Sequence, residues 1–218
     1  MDRQLAVGTL AIHPVHIEAW PIYDKSQTPQ LPTHRKEVAV KLHLGCGKKY
    51  IPGYIHIDAQ PLPHVHHVRP VEDLSLFTDC SIEVIYASHV LEHFGRHEYL
   101  RVLKEWYRVL RPGGLLRVGV PDFRSIAEEY ASGHLENGLR DLIGLCVGGQ
   151  RDDYDYHKMV FDEVILTGAF EHAGFSRVQR WDWHDTEHSS LDDYTQAHLP
   201  HMNKKDGRLM SLNLEAIK

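Results

Sequence analysis

The run Val38-Ala39-Val40-Lys41-Leu42-His43-Leu44 stops at Gly45-Cys46-Gly47, and a second short run, Tyr54-Ile55-His56-Ile57, ends on Asp58. Both runs have the apolar, β-branched content of strands, and the paired glycines mark a tight turn at the end of the first. Only nine residues, 45–53, separate them, and Pro52-Gly53 take two of these. Such a connection is short for a crossover that holds a whole helix. The first crossover helix is therefore expected to be cut to about one turn. A strand, a G-x-G turn and an acid closing the next strand also form a nucleotide-site arrangement. Glycine lets the backbone approach a ligand closely, and the acid can accept from two ribose hydroxyls. A G-x-G alone is equally a plain tight turn, and the dinucleotide version of the motif does not fit. Lys48-Lys49-Tyr50 stands where a third glycine belongs, and Asp58 follows Gly47 by eleven residues rather than the ~20 of that fingerprint.

Downstream, strand-like runs at 65–68, 82–87 and 115–120 alternate with helical stretches. The clearest helix covers 96–110, where Leu100, Leu103, Trp106, Tyr107 and Leu110 recur at three- and four-residue spacing. This stripe reads as core packing, and Arg111-Pro112-Gly113-Gly114 ends it. A further helix starts near Asp122, another covers 162–173 with Gly174 past its end, and 175–183 and 208–217 read as the last strands. Alternating strands and helices predict an α/β fold, doubly wound, around a parallel sheet. Residues 1–37, with Pro14, Pro21, Pro29 and Pro32, read as a separate N-terminal arm packed on the domain at 38–218 or on a second copy in a homodimer.

Composition narrows the function classes. The 218 residues carry a net charge of −6, which argues against a broad basic surface for nucleic acid. No apolar run approaches the ~20 residues of a membrane span. The first residues lack a basic stretch followed by an apolar one, so no export leader is expected. Cys46, Cys80 and Cys146 are too few and too scattered for a disulfide framework. A cytoplasmic protein is expected.

Leu42-His43-Leu44-Gly45-Cys46-Gly47, Asp58, Val71-Glu72-Asp73-Leu74, Ala87-Ser88-His89-Val90-Leu91-Glu92-His93 and Val109-Leu110-Arg111-Pro112-Gly113-Gly114 occur in one order. Together they resemble the class I S-adenosylmethionine-dependent methyltransferases of the type 11 kind. The short first crossover and the closing Ser211-Leu212-Asn213-Leu214-Glu215-Ala216 are similar to a branch often found among bacterial surface-polysaccharide genes. The resemblance covers 38–218. It implies a mostly parallel, seven-stranded Rossmann-like sheet with the last strand antiparallel, and S-adenosylmethionine as cofactor. It places Gly45, Cys46 and Gly47 along the methionine moiety and Asp58 on the ribose hydroxyls. Glu72, Asp73 and Leu74 would lie beside adenine, and Ala87, Ser88 and His89 would wall the site near the sulfonium. Pro70 stands where relatives often have Asp, so the adenine amine would have to be met by Glu72 or Asp73.

Methyl transfer to a hydroxyl or ammonium also needs a proton acceptor. Candidates at the carboxyl ends of strands are His157 and Asp122, then His93, with His89 also near. A segment at 184–207 is expected to cap a small-molecule or saccharide acceptor. There Trp181, Trp183 and Tyr194 would stack on a ring while Asp192 and Asp193 bind hydroxyls. Lys48-Lys49 would neutralise an acceptor phosphate if it is not simply a solvated pair. Of the 18 histidines, His64-x-His66-His67, His184 to His188 and His198-x-x-His201 invite a metal reading. None matches H-E-x-x-H, and no metal is expected. Two rivals remain: a non-catalytic or regulatory binding protein on the same scaffold, and a metal-dependent hydrolase.

Overall fold

The computed structural model describes residues 39–201 and 203–218. The N-terminal arm at 1–37, and with it the homodimer contact assigned to it, lies outside the described residues. The strands are β1 (Lys41–Leu44), β2 (Ile55–Asp58), β3 (His67–Val68), β4 (Ile82–Ser88), β5 (Leu110–Pro121), β6 (Ser176–Arg180), β7 (His198–Leu199), β8 (Arg208–Leu209) and β9 (Ser211–Ile217). The α-helices are α1 (Tyr99–Val109), α2 (Phe123–Ser132), α3 (Ile143–Val147) and α4 (Glu163–Ala173). Seven strands form one sheet in the order β3-β2-β1-β4-β5-β9-β6, while β7 and β8 form a small hairpin. Pairing is parallel from β3 through β5, and β9 runs antiparallel between β5 and β6. This is the expected seven-stranded α/β sheet with its antiparallel last strand.

The period-two pattern of each strand sends alternate residues to opposite faces. Leu42, Leu44, Ile57, Ile85, Ala87, Leu116, Val118, Leu212 and Leu214 enter the main core, where α1 contributes Leu103 and Trp106 and α4 contributes Leu166 and Phe170. Local signals set the helix ends. Asp162 caps α4 by accepting from the Ile165 N–H at 2.8 Å, and Gly174 closes it in the left-handed region. Arg111-Pro112-Gly113-Gly114 ends α1 as expected but does not leave the sheet. Leu110 pairs with Ile82 and Leu115 with Val84, so the four residues bulge within β5.

The opposite face is built differently. β1 and β2 are joined by turns alone, without even the single helical turn expected there. Ile51 and Tyr54 from this connection, with Trp181, cover Val84 and Tyr86 of the sheet. Gly119 accommodates the next covering segment, because a Cβ there would lie 2.6 Å from Thr195 Cγ2 and 2.9 Å from Asn213 Oδ1. Among the described residues no helix is long and apolar enough to cross a membrane.

Candidate active site

Strand order reverses between β1, which leads outward to β2 and β3, and β4, which leads the other way to β5. Ligands of open α/β sheets bind outside the carboxyl ends at such a point. Here the ends are Gly45 and His89. Gly45 has φ +59, and a Cβ on it would lie 2.5 Å from Val90 Cγ2. Gly47 has φ +50 with open space beyond its Cα. The Asp58 carboxylate accepts from the N–H of Gly47 at 2.7 Å and of Gln60 at 2.8 Å, locking the turn to the end of β2. A carboxylate offers about four acceptor positions, so two remain for a ligand.

These residues border a cavity of about 400 Å³, lined also by Pro70, Glu72, Arg101 and Lys158. The cavity fits an adenosine-bearing cofactor on this chain's own features. It is within the usual ligand-pocket range, it has an acid with free lone pairs at the end of β2, and the glycine turn leaves backbone exposed to it. A second cavity of about 540 Å³ adjoins it, and His89 and His93 line both. His157, Asp155, Tyr194, His198 and His201 line the second. His89 is itself unusual, a non-glycine residue at φ +54, and such backbone strain concentrates at functional sites. Its Nε2 lies 3.0 Å from Ser211 Oγ, and its ring is 5.4 Å from that of Tyr194.

The structure redistributes several expected roles. Cys46 is buried with its Sγ 3.8 Å from His64 Nε2, and burial with the nearby Asp58 carboxylate pushes its thiol up to about 12, so it is no thiolate. Glu72 lines the first cavity, but Asp73 is engaged with Arg69 and Ser75, and Leu74 is fully buried in the core. Ala87 also points into the core. Ser88 stands at the end of β4 beside His89, and neither cavity is lined by it. Asp122 is the N-cap of α2. Its two oxygens accept from Arg124 N and Ser125 Oγ, and it borders a depression that lacks the histidines, a site unsuited to a base for methyl transfer. Trp181 is buried under the sheet. Asp193 is spent on Tyr86 and Thr195, leaving Tyr194, 60% exposed, as the aromatic wall of the second cavity.

Sequence reasoning passed over Gln60, Arg101 and Lys158, for which no local motif exists, and Glu92, whose burial only the fold creates. Glu92 is 1% exposed. Despite burial, which alone would raise its pKa, the neighbouring His89, His93 and His157 hold it below its ordinary value. Desolvation lowers His157. His64 and His66 gather around the buried His56 rather than standing free, with the His56 ring 5.6 Å from His64 and stacked at 5.2 Å on His66.

Residues 47–118 match the family profile described as a methyltransferase domain. Over that stretch the chain is similar to a methyltransferase domain. Its fold is that of S-adenosylmethionine-dependent methyltransferases, with S-adenosylmethionine as the cofactor such a domain takes. A SAM-dependent methyltransferase from Archaeoglobus fulgidus superposes with a TM-score of 0.50 at 15% identity, over 83% of this chain and 86% of that one. A putative one from Listeria monocytogenes gives 0.49 at 16% identity, over 84% and 91%. A 1,6-didemethyltoxoflavin-N1-methyltransferase from Burkholderia thailandensis, holding that compound and S-adenosylhomocysteine, gives 0.49 at 16%, over 83% and 71%. No curated protein matches the chain by sequence.

Proposed function

We propose that this methyltransferase moves a methyl group to a hydroxyl or amine of a small, polar, saccharide-like acceptor. The observation that carries this reading is the pair of adjoining cavities that share His89 and His93 at the end of β4. S-adenosylmethionine, when bound, supplies a methyl on a sulfonium, already activated for in-line displacement. The protein then has to align the two reactants and exclude water. Asp58 would take the ribose hydroxyls, Gly45 and Gly47 the methionine end, and Glu72 the adenine.

The second cavity supports the acceptor class. Its wall is rich in imidazole and carboxylate, with Tyr194 as the exposed ring, a lining suited to hydroxyls and a sugar face. His157 and His93 are the groups that receive the acceptor's proton. Each has an Nδ1 3.0 Å from a backbone carbonyl, of Leu145 and of Tyr156 respectively, which can only accept. Nδ1 is therefore the protonated nitrogen of the neutral rings, and Nε2 carries the free lone pair.

Thermal unfolding with and without S-adenosylmethionine tests the cofactor assignment. Ligand at a hundredfold excess over its Kd should add about 2.7 kcal/mol, and Asp58→Ala should abolish the shift. A full shift in that variant would sink the ribose role. Release of the demethylated cofactor only when saccharide acceptors are added would separate an enzyme from a binding protein on the same scaffold.

A further inference from the structure

Glu92 has no part in the methyl transfer proposed above. It lies in the single turn Leu91–His93 after β4, is 1% exposed, and among the described residues neither carboxylate oxygen has a hydrogen-bond donor. His89 Nδ1 comes within 3.3 Å but without hydrogen-bond alignment. A buried carboxylate that no donor hydrogen-bonds costs free energy unless a cation compensates it. What surrounds it is a set of metal donors. One ligand atom each from Glu92, His93 and His157 lie within 4.8 Å of one another, and His157 Nε2 is 3.9 Å from Glu92 Oε1. That separation is too long for a hydrogen bond. It is close to the ~3.4 Å between two atoms sharing an ion at ~2.1 Å.

The rings are also prepared for an ion. His93 and His157 stand edge to face at 5.0 Å, and each gives its Nδ1–H to a backbone carbonyl. This is the outer hydrogen bond that fixes a ligating imidazole with Nε2 unprotonated. Two imidazoles and a carboxylate with positions left open suit zinc or ferrous iron rather than magnesium or calcium.

We infer that Glu92, His93 and His157 bind a divalent first-row transition-metal ion, of which Zn²⁺ is the probe, at the border of the two cavities. Its binding stands on these residues alone. Its role rests on the proposed methyl transfer. An acceptor hydroxyl taking an open position would lose its proton to solvent more readily; its oxygen would then form O–CH3 as the S–CH3 bond of the sulfonium breaks and S-adenosylhomocysteine leaves, without any change of oxidation state. With the ion bound the Nε2 lone pairs are occupied, so direct proton acceptance by His93 and His157 belongs to the ion-free protein.

The test is calorimetric titration of chelator-treated protein with ZnCl2, together with elemental analysis. One equivalent should bind tightly to the wild type and to His184→Ala, whose ring lies on the surface beside Asp182. Glu92→Gln and His93→Gln should each weaken that event by at least ~10-fold. Melting curves would establish that both variants fold. Co²⁺ substituted at the site should give a visible ligand-field spectrum in the wild type that is lost in both. Equal zinc binding by the wild type and both variants would overturn the inference, as would the absence of any stoichiometric event. If zinc binds as expected while S-adenosylmethionine causes no thermal shift, the metal site stands and the methyltransferase reading falls.

Discussion

Asp58 holds the ends of β1 and β2 in one geometry through two backbone N–H groups, so the same carboxylate that would meet a ribose also shapes the turn beneath it. Gly45 is its counterpart. Its φ of +59 suits glycine, and its Cα faces Val90 with no room for a methyl group. Gly45→Ala should therefore lose about 1–3 kcal/mol from strain and overpacking together. Chemical denaturation of Gly45→Ala and of the double variant with Val90→Ala checks the mechanism. The second change should recover part of the loss, because it removes the clash and leaves the φ penalty. Both residues announce themselves in the sequence, since a glycine turn and a strand-ending acid are local patterns. Glu92 does not, because nothing in Leu91-Glu92-His93 says that the turn will be buried.

At the scale of elements, the second face of the sheet is where the molecule departs most from its expected plan. With no helix over β1 and β2, His43 and His56 are buried there, 1% and 0% exposed, their rings 5.3 Å apart, and His43 is 5.3 Å from Tyr86. Desolvation, helped by the neighbouring histidines, lowers His43 to about 3 and His56 to about 4. Both pKa values fall below the unfolded 6.5, so the unfolded chain binds more protons, and this contribution to stability is full above pH ~6.5 and is lost as pH falls toward 4. Each group contributes a slope of up to about 1.4 kcal/mol per pH unit within that window. Urea unfolding between pH 7 and 4.5 should show His43→Leu losing stability less steeply than the wild type. Parallel curves would refute the burial argument. The segment over the sheet is tied down by Asp193, which accepts from Tyr86 OH at 2.5 Å and from Thr195 N at 2.9 Å. Tyr86→Phe removes one donor from a buried carboxylate and should cost about 1–3 kcal/mol, measured as a lower denaturation midpoint.

The whole molecule joins two cavities around the end of one strand. Tyr194 borders only the larger, whereas His89 and His93 border both. Tyr194→Ala should therefore raise the acceptor KM by up to about tenfold, the scale of a lost aromatic contact of ~1.5 kcal/mol, and leave cofactor affinity unchanged. Steady-state kinetics with each substrate varied in turn separates the two. A matching loss in cofactor affinity would mean that the cavities act as one.

The sequence by itself determined the seven-stranded order of elements, the glycine turn, Asp58 and the capped limits of α4, because hydrophobic period, turn chemistry and helix caps are properties of a few neighbouring residues. It also marked His89, His93 and His157 as chemically able. Only the tertiary structure decided which of them share a space. Asp73, Leu74 and Asp122 sit in the right stretches of chain, yet Arg69, the core and the start of α2 claim their side chains. The grouping of Glu92 with His93 and His157 depends on a connection that returns from residue 147 to 157 beside the turn after β4, and on the burial this produces. Contact between residues 65 positions apart is a consequence of packing the whole chain, and no local pattern encodes it.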